Sequence, residues 1–93
     1  MKIGGESVDL ARLDAILDSV RGSADAAIIA VPDDRLGHVI HLAALSNAMD
    51  EIVRSFNARV LPFERIRAVR RVAAIPRSAL GKLLRPKLLA ELR

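Results

Sequence analysis

The chain has 93 residues, 52% of them hydrophobic, enough for one small core and too apolar for a disordered segment. It contains no cysteine, which excludes disulfides, thiolate metal sites and thiol nucleophiles together, and it carries a formal net charge of +4 from 15 Lys and Arg against 11 Asp and Glu. The core must be aliphatic, since only Phe56 and Phe63 are aromatic. No apolar run reaches the length of a membrane span, and the Met1–Glu6 start lacks the apolar stretch of a signal peptide, so a soluble cytoplasmic protein is expected.

The first seven residues read as a glycine loop. Asp9 is placed to cap a helix, and Leu10, Leu13, Leu17 and Val20 recur at the three- and four-residue steps of one helical face. Gly22 is expected to end that helix. Ala26 to Val31 is continuously apolar and partly β-branched, the pattern of a central strand covered on both faces. Pro32-Asp33-Asp34 signals a turn, and Gly37 a second backbone irregularity. Val39 to Leu45 reads as a second strand, antiparallel to the first, although Ala and Leu also allow a buried helix from Ile40 to Leu45. Asn47 is expected to cap the next helix, with Asp50 and Glu51 in its first turn and Met49, Ile52, Val53, Phe56 and Val60 on one face. Pro62 interrupts the pattern. Arg65 to Ala74 reads as a third strand closed by Pro76, Arg77 to Lys82 as a loop, and Pro86 suits the first turn of a terminal helix carrying Leu88, Leu89 and Leu92. This order predicts one α+β domain over residues 1–93, a small three-stranded sheet flanked by helices.

No self-contained active site emerges. His38 and His41 are not joined by a set of carboxylates, so no metal site is expected. Two loops carry more chemistry. In Lys2-Ile3-Gly4-Gly5-Glu6-Ser7 the paired glycines let backbone approach a ligand or another domain closely. In Pro76-Arg77-Ser78-Ala79-Leu80-Gly81-Lys82-Leu83-Leu84-Arg85 a lysine next to glycine can swing as a point charge toward a carboxylate or phosphate. On chemistry alone, the plainer readings are a turn and a solvated lysine. A Walker A loop is excluded, because Leu83 follows Lys82 where Ser or Thr is needed. From Arg65 onward the chain holds Arg65, Arg67, Arg70, Arg71, Arg77, Lys82, Arg85, Lys87 and Arg93 against the single acid Glu91, a charge that fits an anionic partner. Nucleic acid is disfavoured as that partner: the stretch lacks interleaved aromatics, and no helix-turn-helix or zinc pattern is present.

Four segments in order resemble the C-terminal subdomain of the adenylate-forming superfamily, which includes acyl- and aryl-CoA synthetases. Residues 2–8 resemble its KxGGExV segment, residues 10–17 its PxEIExVL helix, residues 25–37 (DAAIIAVPDDRLG) its DAAVVGVPDxxxG stretch, and residues 75–85 its LPRTxxGKxxR signature. The likeness runs from end to end. It implies a lid that rotates against a large N-terminal domain, here missing, which binds ATP with Mg²⁺ and the carboxylic acid. Lys82 is then the catalytic residue of adenylation, on a loop made mobile by Gly81. After rotation, Gly4, Gly5 and Glu6 face the site for the CoA step. Arg85, which closes the signature, is placed among the cofactor-binding residues. The resemblance thus implies an acid–thiol ligase, inactive as this piece alone, with ATP and CoA as co-substrates and none held tightly here. The compact style is similar to o-succinylbenzoate–CoA ligases of menaquinone synthesis. Arg12 stands where the pattern has Glu, Leu10 where it has Pro, and His38 where Glu is common; Leu61-Pro62-Phe63-Glu64-Arg65-Ile66 resembles LPxYKVP only loosely. A dimer of the lid alone would reflect surfaces that the large domain covers. The alternative is a free-standing basic module that binds nucleic acid or another protein.

Overall fold

The structure, a computed structural model, describes residues 1–92. Lys2–Ile3 (β1) and Glu6–Ser7 (β2) pair antiparallel across Gly4 and Gly5, whose φ angles of 56° and 86° are both left-handed. Two successive positive φ values make the primed turn that matches strand twist, and glycine adopts it without Cβ strain. The expected glycine loop is therefore a tight hairpin. Asp9 caps Leu10–Asp18 (α1), its Oδ1 accepting from the Ala11 N–H at 3.0 Å. The helix stops at Asp18, short of Gly22, and Gly22 instead opens a 3-10 turn, Ser23–Asp25, that delivers the chain to the sheet.

The sheet consists of Ala26–Asp33 (β3), Gly37–Ala44 (β4) and Ile66–Arg71 (β5) in the order β3-β4-β5. β3 runs antiparallel to β4, and β5 runs parallel to it. The helical alternative for residues 40–45 is thereby excluded. The run from Ala26 to Val31 proves to lie on an edge strand, with β4 in the centre. It is apolar throughout because both faces are covered all the same. Ile28 opposite Leu42 and Ala30 opposite Ile40 face one side; Ala27 opposite Ala43 and Ile29 opposite His41 face the other. The edge position also explains how β3 accommodates Pro32. The turn falls later than Pro32: Asp33 Oδ2 accepts from the N–H groups of Arg35 and Leu36 at 3.1 and 2.8 Å.

A parallel pair needs a crossover, and Asp50–Asn57 (α2) lies within it. Met49, not Asn47, occupies the N-cap position and makes no side-chain cap; Asp50 and Glu51 complement the first turn instead. Asn57 Oδ1 accepts from the Ile66 N–H at 2.8 Å, joining the end of α2 to the start of β5. The last helix is Arg85–Glu91 (α3), with Pro86 in its first turn.

One core, with Leu13, Leu17, Ile28, Leu42 and Phe56, joins α1 and α2 to one face of the sheet. A second, with Ala27, Ile29, Ala43, Val72 and Leu88, joins α3 to the other. The result is three layers. Glu64, only 1% exposed, is the charged residue of the interior among the described residues. Its carboxylate accepts from the Leu61 N–H at 3.0 Å and pairs with the guanidinium of Arg12. The departure at Arg12 thus supplies the cation that a buried carboxylate requires.

Candidate functional site

The signature segment is an ordered arm. Arg77 and Leu83 form an antiparallel bridge, and Leu84 N–H donates to Pro76 O at 2.9 Å. At the tip, Gly81 N–H donates to Ser78 O at 2.9 Å, and Ser78 N–H to Lys82 O at 2.8 Å. Ser78 Oγ also accepts from the Lys82 N–H at 3.1 Å. Gly81, at φ 86°, supplies the left-handed residue that lets such a turn rejoin its strand. Ile75 and Leu83 root the arm in the α3-side core, while Leu80 at the tip is 98% exposed. The loop read from sequence is therefore a short hairpin, not an unstructured segment.

Lys82 is exposed on this hairpin and forms no ion pair among the described residues. It lines a cleft of ≈ 230 Å³ with Asp14, Asp18, Ala27, Arg77 and Gly81. That volume lies below the several hundred Å³ usual for a small-molecule pocket, so the cleft cannot enclose a nucleotide by itself. Among the described residues there is no group of three or more His, Cys, Asp or Glu able to hold a metal ion.

Arg85 is engaged with the body of the domain. Its Nη2 donates to Asp14 Oδ1 at 2.5 Å and to Ile28 O at 3.1 Å, and its Nε to the same carbonyl at 3.3 Å. These partners stand 71 and 57 positions away in the chain, and no local spacing reveals them. Arg70 is likewise engaged, with the Leu92 carbonyl at 3.4 Å, so the basic third of the chain is not one open surface.

Gly4 and Gly5 are not brought near Lys82. The Gly4 N–H donates to Leu36 O at 2.8 Å, which seats this hairpin on the β3–β4 turn. The Lys82 cleft abuts Ala26 and Ala27, where β3 begins. The eight-residue β3 therefore separates the two loops by roughly 20 Å. Glu6, in β2, is exposed beside the glycine turn, and a Cβ built on Gly5 would meet nothing within 4 Å.

The fold, a mixed three-stranded sheet with three helices, matches the C-terminal domain of adenylate-forming enzymes. No protein-family model matches the chain. Its relatives are CoA ligases. It is 38% identical over 96 residues to a 4-coumarate–CoA ligase-like protein of Oryza sativa, covering 98% of this chain and 18% of that protein. It is 37% identical over 90 residues to a 3-[(3aS,4S,7aS)-7a-methyl-1,5-dioxo-octahydro-1H-inden-4-yl]propanoyl:CoA ligase of Mycobacterium tuberculosis, covering 91% and 18%. Among solved structures, o-succinylbenzoate CoA synthetase from Bacillus subtilis superposes with a TM-score of 0.76 at 26% identity, over 96% of this chain and 19% of that one. The chain thus spans about a fifth of the length of the curated relatives it matches.

Proposed function

We propose that this chain is the C-terminal lid of an acid–CoA ligase, which makes an acyl-adenylate from ATP and a carboxylic acid and then an acyl-CoA thioester. The observation that carries the reading is Lys82, exposed and without an ion-pair partner among the described residues, at the end of an ordered hairpin beside a cleft too small to enclose a nucleotide. Such a lysine acts on something another domain holds. The relatives being CoA ligases about five times longer than the chain supports a large N-terminal domain as that partner. ATP, the acid and CoA are then bound mainly there, and Mg²⁺ arrives with the triphosphate. As carboxylate and triphosphate converge, the Lys82 ammonium offsets their mutual repulsion. Its withdrawal leaves room for the thiol. The acid itself is chosen in the large domain. An o-succinylbenzoate ligase remains one member of this class, favoured by the 26% identity with the Bacillus enzyme; the 38% identity with a coumarate ligase-like protein favours the wider class.

The test uses the complete ligase. Lys82→Ala should lower acyl-adenylate formation, followed as ATP–pyrophosphate exchange, by about 10²–10³-fold, the range for loss of one preorganised electrostatic group. Thioester formation from supplied acyl-adenylate should survive. Equal loss in both half-reactions would sink the division of labour.

A further inference from the structure

We infer that Arg85 is a positioning residue that keeps Lys82 available by occupying Asp14. The inference rests on the reading of Lys82 as the adenylation residue. Asp14 and Lys82 line the same cleft, yet no ion pair joins them among the described residues. The Asp14 carboxylate is instead held by Arg85 Nη2 at 2.5 Å. Both side chains are partly sheltered, 25% exposed for Arg85 and 35% for Asp14, so the pair is less screened than a surface ion pair.

The guanidinium suits this task better than an amine. Its planar fork serves two acceptors at once, Asp14 Oδ1 on α1 and Ile28 O on β3. β3 is an edge strand, and its outward carbonyls have no strand partner; Arg85 satisfies one of them. Since Arg85 is also the first residue of α3 and follows Lys82 by three positions, the same contacts fix where the hairpin leaves the body of the domain. Without the guanidinium, Asp14 becomes an unpaired carboxylate on the wall of the cleft that Lys82 lines. The lysine, a mobile point charge on a long stem, would turn to it and be lost to the incoming anion. The second acid of the cleft, Asp18, is exposed, and solvent weakens its hold on the amine.

The experiment compares Arg85→Gln with the double variant Asp14→Asn/Arg85→Gln in the complete ligase, with Lys82→Ala as reference. Arg85→Gln should slow ATP–pyrophosphate exchange by roughly tenfold to a hundredfold, the range for a misplaced reacting group, and leave thioester formation from supplied acyl-adenylate largely intact. Removing the Asp14 charge as well should restore most of the exchange rate while the Tm of the single and double variants stays alike, whereas a purely structural pair would recover rate and stability together. A double variant no faster than Arg85→Gln, or an unimpaired Arg85→Gln, would overturn the inference. Should the glutamine variant fail to fold, Arg85→Lys still decides. It retains a cation for Asp14 and should keep exchange within about tenfold of the parent, whereas a loss as complete as that of Lys82→Ala would overturn the inference. If Lys82→Ala itself leaves exchange intact, the lid reading fails, and that outcome is separate from any behaviour of Arg85.

Discussion

A lysine that must enter and leave an anionic site works best as a compact charge on a flexible stem, set on a support that does not itself wander. Lys82 has that arrangement: a side chain without an ion-pair partner among the described residues, on a backbone pinned by the Ser78 hydroxyl and the Gly81 turn. Two arginines do the opposite work. Arg12 and Arg85 spend their donors on Glu64 and on Asp14 and Ile28, fastening elements together. His41 offers a residue-scale prediction. Burial in the first place, and the charge of Arg70 in the second, lower its pKa below the ordinary 6.5. The fold therefore prefers it neutral. A depressed pKa contributes stability that is present above 6.5 and lost as pH falls through the folded value. Thermal melts of the chain should show Tm dropping between about pH 7 and pH 5, and His41→Gln should flatten that slope. An unchanged slope would assign the acid sensitivity to other groups.

At the scale of elements, α3 matters more than its seven residues imply. It alone covers the second face of the sheet among the helices described, and it does so through Leu88, which is fully buried against Ala27, Ile29 and Ala43. The residues opposite it include the small Ala27 and Ala43, so Leu88 itself fills much of the space between helix and sheet. Leu88→Ala opens a void that the small neighbours cannot refill, and chemical denaturation should register a loss of about 2–5 kcal/mol. Because the Lys82 hairpin is rooted in the same core through Ile75 and Leu83, its amides should exchange faster in that variant. A loss under about 0.5 kcal/mol, the level of an ordinary surface change, would mean that α3 is only loosely docked.

At the scale of the whole molecule, the two loops singled out by sequence lie at opposite ends of β3, roughly 20 Å apart. Rotation of a rigid lid would bring each in turn to the site in the large domain that the proposed function invokes. Under the proposed function, each loop then affects only its own half-reaction. Gly5 tests this. Its φ of 86° makes any side chain there cost about 1–2 kcal/mol, but a Cβ meets open space, so Gly5→Leu should fold. In the complete ligase it should slow the CoA step several-fold and leave ATP–pyrophosphate exchange unchanged. An unaffected CoA step would remove the glycine turn from the thiol passage.

The sequence by itself determined what local chemistry can determine. Asp9 as a cap, the face of Leu13 and Leu17, an antiparallel pair formed by the two apolar runs and Pro86 in the last helix follow from local patterns, and the order of those elements gives the α+β class. The segment around Lys82 stood out through its resemblance to a family signature, since local chemistry alone reads it as a loop with a solvated lysine. Tertiary structure decided the rest. It put β3 at the edge, made β5 parallel to β4, set α3 alone on the second face, and moved the turn past Pro32 and the end of α1 ahead of Gly22. It also joined Arg12 to Glu64 and Arg85 to Asp14 and Ile28, pairs separated by 52, 71 and 57 positions. Periodicity reports that a residue is buried, and charge reports that it needs a partner. Neither says which partner, because that is chosen only when distant segments pack and each buried charge or edge carbonyl must be satisfied by whatever group arrives beside it.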